Sequence, residues 1–149
     1  MEFVMHPIGV IHSPFTDKSK TPIQPSRSTA KGMIEIFPDF VEGLADVEGF
    51  SHLILLYVFH SSSGYELRVK PFLDNQLRGL FATRHPCRPN PIGLSIVRLL
   101  SCQMNKLEIE GVDVLDNTPL LDIKPFVPDF DTRTGVQTGW YGVRNMSQD

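Results

Sequence analysis

No apolar run in the sequence approaches the roughly 18 residues of a membrane-spanning helix. The longest, Leu53-Ile-Leu-Leu-Tyr-Val-Phe59, has the length of a strand. Cysteine is scarce: Cys87 and Cys102 are the only two, at no paired spacing, which fits a reducing cytoplasm better than a disulfide scaffold. Neither His-Glu-x-x-His nor Cys-x-x-Cys occurs, so a metal centre is not expected. No Gly-x-Gly-x-x-Gly follows a strand-like run, which leaves a doubly wound nucleotide-binding fold unsupported. Met1 to Pro7 lacks a basic region followed by an apolar one, so no signal peptide is read there. Charge is modest as well, with a net of −3 and 21% charged residues beside 41% hydrophobic ones. That balance is ordinary for a globular protein, and 149 residues suit one domain, spanning 1–149, with a core of its own.

What the chain does have is proline, concentrated where it organises a loop. From Arg84 to Leu94 the sequence reads Arg-His-Pro-Cys-Arg-Pro-Asn-Pro-Ile-Gly-Leu. Pro86, Pro89 and Pro91 each fix φ and lack a donor, and each pushes its predecessor toward extended geometry. The result is a stiff loop carrying Arg84, His85, Arg88 and Asn90, suited to an anionic or polar small molecule. A second loop runs from Asp113 to Pro125 and places Asp113, Asp116 and Asp122 around an Asn117-Thr118-Pro119 turn. Short carboxylates at a strand end either cap backbone amides or accept hydrogen bonds from a ligand. Together the two loops offer both signs of charge.

Between the loops the chain alternates apolar and polar residues in short runs. Strands are predicted at Phe3–His12, Gly32–Phe37, His52–His60, Glu66–Lys70, Gly79–Thr83, Gly93–Cys102, Lys106–Val114 and Leu120–Pro125. One helical turn is predicted over Asp39–Asp46 with Asp39 as N-cap, and the tail from Thr132 is expected to fray. Many short strands with Gly and Pro punctuation point to a mainly β fold and a barrel.

Seven short motifs then fall in order. They are Ile8-Gly-Val-Ile-His-Ser-Pro14, Gln24-Pro25, Phe50-Ser-His-Leu53, Phe59-His60, Phe81-Ala-Thr-Arg84, Arg88-Pro-Asn-Pro-Ile-Gly93 and the stretch Asp113 to Pro125. In this the chain resembles the TsaA-like family, which contains the S-adenosylmethionine-dependent tRNA methyltransferases of the TrmO type. The resemblance implies a small closed mixed-strand β-barrel with short helices and long loops. It implies S-adenosyl-L-methionine as cofactor and N6 of threonylcarbamoyladenosine, beside the tRNA anticodon, as acceptor. It also implies donor contacts at Gln24, Pro25 and Ser26, at His60 and Ser61, at Arg84, at Leu94, and at Thr118, Pro119, Leu120 and Leu121. Asn90 and Asp113 are expected to shape the same pocket. Larger relatives carry a further C-terminal domain, which is not expected here after Asp149, so an acceptor other than theirs is weighed as well. A non-catalytic S-adenosylmethionine-binding module, or a methyltransferase with another acceptor, stays open here.

The chemistry asks for positioning more than for a covalent nucleophile, because a sulfonium methyl is already activated. An acceptor proton must still leave, and Asp116, His60 or a carboxylate of the substrate itself is expected to take it, so His60 and Asp116 are the residues nominated from the chain. His52, which opens the same strand as His60, reads as a packing or capping residue, and Cys87 as an inert thiol. The cations are unevenly spread. Tyr65 to Arg98 holds six against two acids, and Leu107 to Asp149 holds three against eight. A basic half is thus available to the phosphates of an anticodon stem-loop. A homodimer is expected to enlarge that surface, with no membrane and no metal involved.

Overall fold

Leu53, Leu55 and Tyr57 alternate with outward neighbours, as do Gly93, Ser95 and Val97, so each strand has one face that must be enclosed. In the computed structural model, which describes residues 1–17, 28–72 and 74–146, six strands enclose it by closing on themselves. They are β1 (Gly9–His12), β2 (Lys31–Ile36), β3 (His52–Val58), β6 (Ile92–Gln103), β7 (Lys106–Glu110) and β8 (Thr118–Pro125). Their order is β1-β2-β7-β6-β3-β8, with β8 returning to pair β1. Closure leaves the barrel no unpaired strand edge among the described residues. The closed barrel agrees with the sequence; mixed strand directions do not, since every pairing is antiparallel. Ile11, Ile34, Leu53, Leu107, Ile109 and Leu120 fill the interior without measurable exposure.

Two register shifts bend the sheet enough to close. One lies between Leu99 and Ser101 on β6, the other between Leu56 and Tyr57 on β3, where β8 supplies the extra residue. Element ends depart from the sequence reading for local reasons. β1 begins at Gly9 rather than Phe3, because Pro7 cannot donate to a ladder and residues 1–7 are exposed. β7 stops at Glu110, because Gly111 at φ 95° turns the chain and its amide bonds to the Ala30 carbonyl. β3 ends at Val58, two residues short of the predicted His60, because the chain turns there with the Ser62 amide bonding back to the Phe59 carbonyl. The predicted turn over Asp39–Asp46 is a 3-10 helix over Pro38–Leu44, with Phe37 rather than Asp39 at its N-cap.

By internal contacts the chain forms two units, the barrel unit of Met1–Tyr65 with Pro86–Phe126, and a second of Glu66–His85 with Val127–Asp149. In the second, β4 (Arg68–Val69) pairs with β5 (Arg78–Gly79). The strand predicted over Gly79–Thr83 is instead a 3-10 turn over Leu80–Ala82, because both the amide and the hydroxyl of Thr83 bond to the Leu80 carbonyl. Helix α1 (Pro128–Asp131) and helix α2 (Gly139–Met146) follow, the latter in the tail expected to fray. Its anchor is Trp140, whose indole donates to the Ala82 carbonyl at 2.8 Å and receives the Arg78 guanidinium over its ring. Arg78 also pairs with Asp74 at 2.7 Å, which holds that carboxyl below its usual range.

Candidate functional site

Strand register gathers the nominated residues of the barrel unit at one end. Val58 at the end of β3 lies opposite Ile92 at the start of β6, and Tyr57 lies opposite both Gly93 and Leu120. His60 and Ser61 follow β3, Asn90 precedes β6, and Thr118 to Leu121 open β8, so all of them stand at this end. Ile11 lies opposite Thr118 and brings His12 and Ser13 there as well. Gln24, Pro25 and Ser26 lie outside the described residues. Arg84 and His85 belong to the second unit.

Each nominated residue has a distinct setting. His60 is exposed in the turn beyond β3. Leu94 sits between buried Gly93 and Ser95, so its side chain points outward, 47% exposed. It lies opposite Leu56, and Ile96 lies opposite Ile54, which together make an apolar ladder on the outer wall. Thr118 is buried, its hydroxyl donating to the Leu115 carbonyl at 2.6 Å across a turn in which Asn117 adopts φ 65°. Asparagine tolerates that left-handed geometry. Leu120 points into the core and its carbonyl accepts the Ile8 amide, so Pro119 and Leu121 are the half-buried members of that stretch.

The two aspartates of the loop differ. Asp116 Oδ1 accepts the Ser13 amide at 3.0 Å and stands 3.5 Å from His12 Nδ1, while His12 Nε2 is 3.2 Å from Glu35. Ser13 in turn donates its hydroxyl to the Val114 carbonyl. Asp116 therefore fastens the loop to β1, the capping behaviour open to any short carboxylate at a strand end. Asp113 instead turns inward. Ser95 Oγ donates to its Oδ1 at 2.7 Å, and the Tyr57 hydroxyl lies 2.7 Å from the same Ser95 oxygen. Burial pushes the Asp113 carboxyl up to about 6, against the lowering effect of the Ser95 hydrogen bond.

Tyr57 and Ser95 were not among the residues singled out from sequence. The signal was present: each is a hydroxyl at an inward position of an apolar alternation, and a buried hydroxyl requires a partner. On the outer wall Lys31 lies opposite Glu110 and Lys106 opposite Glu35, so charge alternates there instead of forming a basic stripe.

Comparison with known proteins places this geometry. The sequence model of the tRNA-methyltransferase O N-terminal domain matches residues 10–132. A probable S-adenosyl-L-methionine-binding protein of Pyrococcus abyssi is 53% identical over 135 residues, covering 90% of this chain and 73% of its own. The mouse tRNA (adenine(37)-N6)-methyltransferase is 40% identical over 134 residues, 85% of this chain but 31% of the mouse protein. The crystal structure of TrmO from Pseudomonas aeruginosa superposes with a TM-score of 0.80 at 40% identity, over 93% of this chain and 62% of that one.

Proposed function

Since the chain belongs to the family of the tRNA-methyltransferase O N-terminal domain, we propose that it methylates tRNA with S-adenosyl-L-methionine, at N6 of a threonylcarbamoyladenosine beside the anticodon. The observation that carries this reading is the family match across residues 10–132, which includes the whole barrel end described above. The donor, when bound, supplies a methyl group already activated on a sulfonium. The residues present fit it. Leu56, Leu94 and Ile96 offer an apolar face to a flat adenine, and His60, Ser61 and the backbone around Pro119 and Leu121 offer polar contacts at its edge. The family resemblance adds Gln24, Pro25 and Ser26, and separately Arg84, as proposed donor contacts, a guanidinium suiting a carboxylate. The name of the mouse relative, a tRNA (adenine(37)-N6)-methyltransferase, supports the acceptor position.

The direct test incubates the protein with donor and with tRNA that carries or lacks the threonylcarbamoyl group, then digests the tRNA for mass spectrometry. A gain of one methyl on the modified adenosine is expected. Equal methylation of unmodified adenosine would remove the acceptor assignment and leave the enzyme class. No methylation, with saturable donor binding by calorimetry, would leave a donor-binding module.

The proposal includes a cytoplasmic homodimer. A two-fold pair is the commonest closed assembly and would combine the cations of two chains for one anticodon stem-loop. Light scattering at micromolar protein should give twice the chain mass, and a monomer mass would count against the dimer.

A further inference from the structure

Methylation of N6 leaves a proton to be placed, and neither residue nominated from sequence is held for that task. Asp116 already accepts the Ser13 amide and faces His12, and His60 stands exposed beyond β3. Resting on the methyltransferase reading, we propose that Asp113 takes the proton of the acceptor nitrogen, its carboxyl aligned at the barrel end by Ser95 and Tyr57.

The hydrogen bonds fix a direction. Ser95 has one hydroxyl proton and donates it to Asp113 Oδ1, so the Tyr57 hydroxyl must donate to Ser95. Both hydroxyls therefore point their protons toward the carboxylate. Once Asp113 is protonated the sequence can reverse, Asp113 to Ser95 to Tyr57, with no heavy atom displaced. Among the described residues, the groups that act on the carboxyl are Ser95 from β6, Tyr57 through Ser95 from β3, and its own backbone amide. The acids flanking it on its own segment are engaged elsewhere, Asp116 with Ser13 and His12, and Glu110 opposite Lys31 and Arg98.

Burial makes Asp113 a stronger base than an exposed carboxylate, yet leaves it ionised above about 6, which suits a proton acceptor at neutral pH. In the balanced step the acceptor nitrogen bonds to the methyl carbon as the carbon–sulfur bond breaks onto sulfur. The N6 proton passes to the Asp113 carboxylate as its N–H bond breaks. Sulfonium and carboxylate both end neutral, and the acid later loses its proton to solvent.

Two readouts test this. The first is carboxyl carbon NMR of the protein without donor. Asp113 should titrate near 6, and Ser95→Ala should raise that midpoint, because the lost hydrogen bond favours the carboxylate. A midpoint in the ordinary carboxylate range, or one unmoved by Ser95→Ala, overturns the proposal. The second is single-turnover methyl transfer across pH. Asp113→Asn should slow transfer measured at saturating donor on the order of 100-fold, and Ser95→Ala should move the acid limb of the profile to higher pH. An Asn variant at the wild-type rate under saturating donor overturns the role of Asp113 alone. Wild-type protein that transfers no methyl to tRNA overturns the proposed function, and this inference with it.

Discussion

Truncating Tyr57 to alanine is expected to cost about 3–5 kcal/mol of folding stability, against about 0.5–1.5 kcal/mol for Tyr57→Phe, which deletes only a hydroxyl. The ring is 3% exposed, meets Phe59 edge-on at 5.5 Å between centroids, and covers Gly93, where a Cβ would run into both rings. The alanine variant would open a cavity at the point where β3, β6 and β8 meet. For a small domain stable by roughly 5–15 kcal/mol that is a large share. Urea denaturation followed by circular dichroism measures both variants. Equal losses would mean that the hydroxyl, not the packing, holds this end of the barrel together.

That corner also marks the boundary of what the sequence makes legible. Strand β3 is readable because Leu53, Leu55 and Tyr57 alternate inward on one side, and β6 because Gly93, Ser95 and Val97 do so on the other. Their pairing is not readable, since nothing in either run states that Leu55 lies opposite Ser95. The Tyr57–Ser95–Asp113 contacts depend on that register and on the turn at Gly111, so they emerge only in three dimensions. The Pro-rich and acidic loops were legible because proline, asparagine and aspartate act within a few residues of themselves. Which aspartate would cap and which would turn inward was not, because Asp113 and Asp116 are the same residue type three positions apart. The extra reach given to β1 has a similar cause. Phe3-Val4-Met5 has the composition of a strand, and only the missing donor of Pro7 and the absence of a partner strand say otherwise.

The Asp113 carboxyl makes a sharper demand on stability than on packing. Its ordinary value is 3.8 and in the fold it rises to about 6, so the folded protein holds this proton more tightly than the unfolded chain. The favourable contribution is therefore fully present below pH 3.8 and is lost as pH rises through about 6. A shift of this size corresponds to about 3 kcal/mol at high pH. Asparagine cannot ionise and still presents an oxygen to the Ser95 hydroxyl. Asp113→Asn is thus expected to be more stable than wild type by about 3 kcal/mol at pH 8, with the advantage vanishing near pH 4. Urea midpoints of the two proteins measured from pH 4 to 8 give this difference directly. A variant less stable than wild type at pH 8, or a difference independent of pH, would show that the buried carboxylate is not strained by its surroundings. A gain in stability joined to a loss of methyl transfer is the pattern expected of a charge kept in an unfavourable place for the reaction it serves.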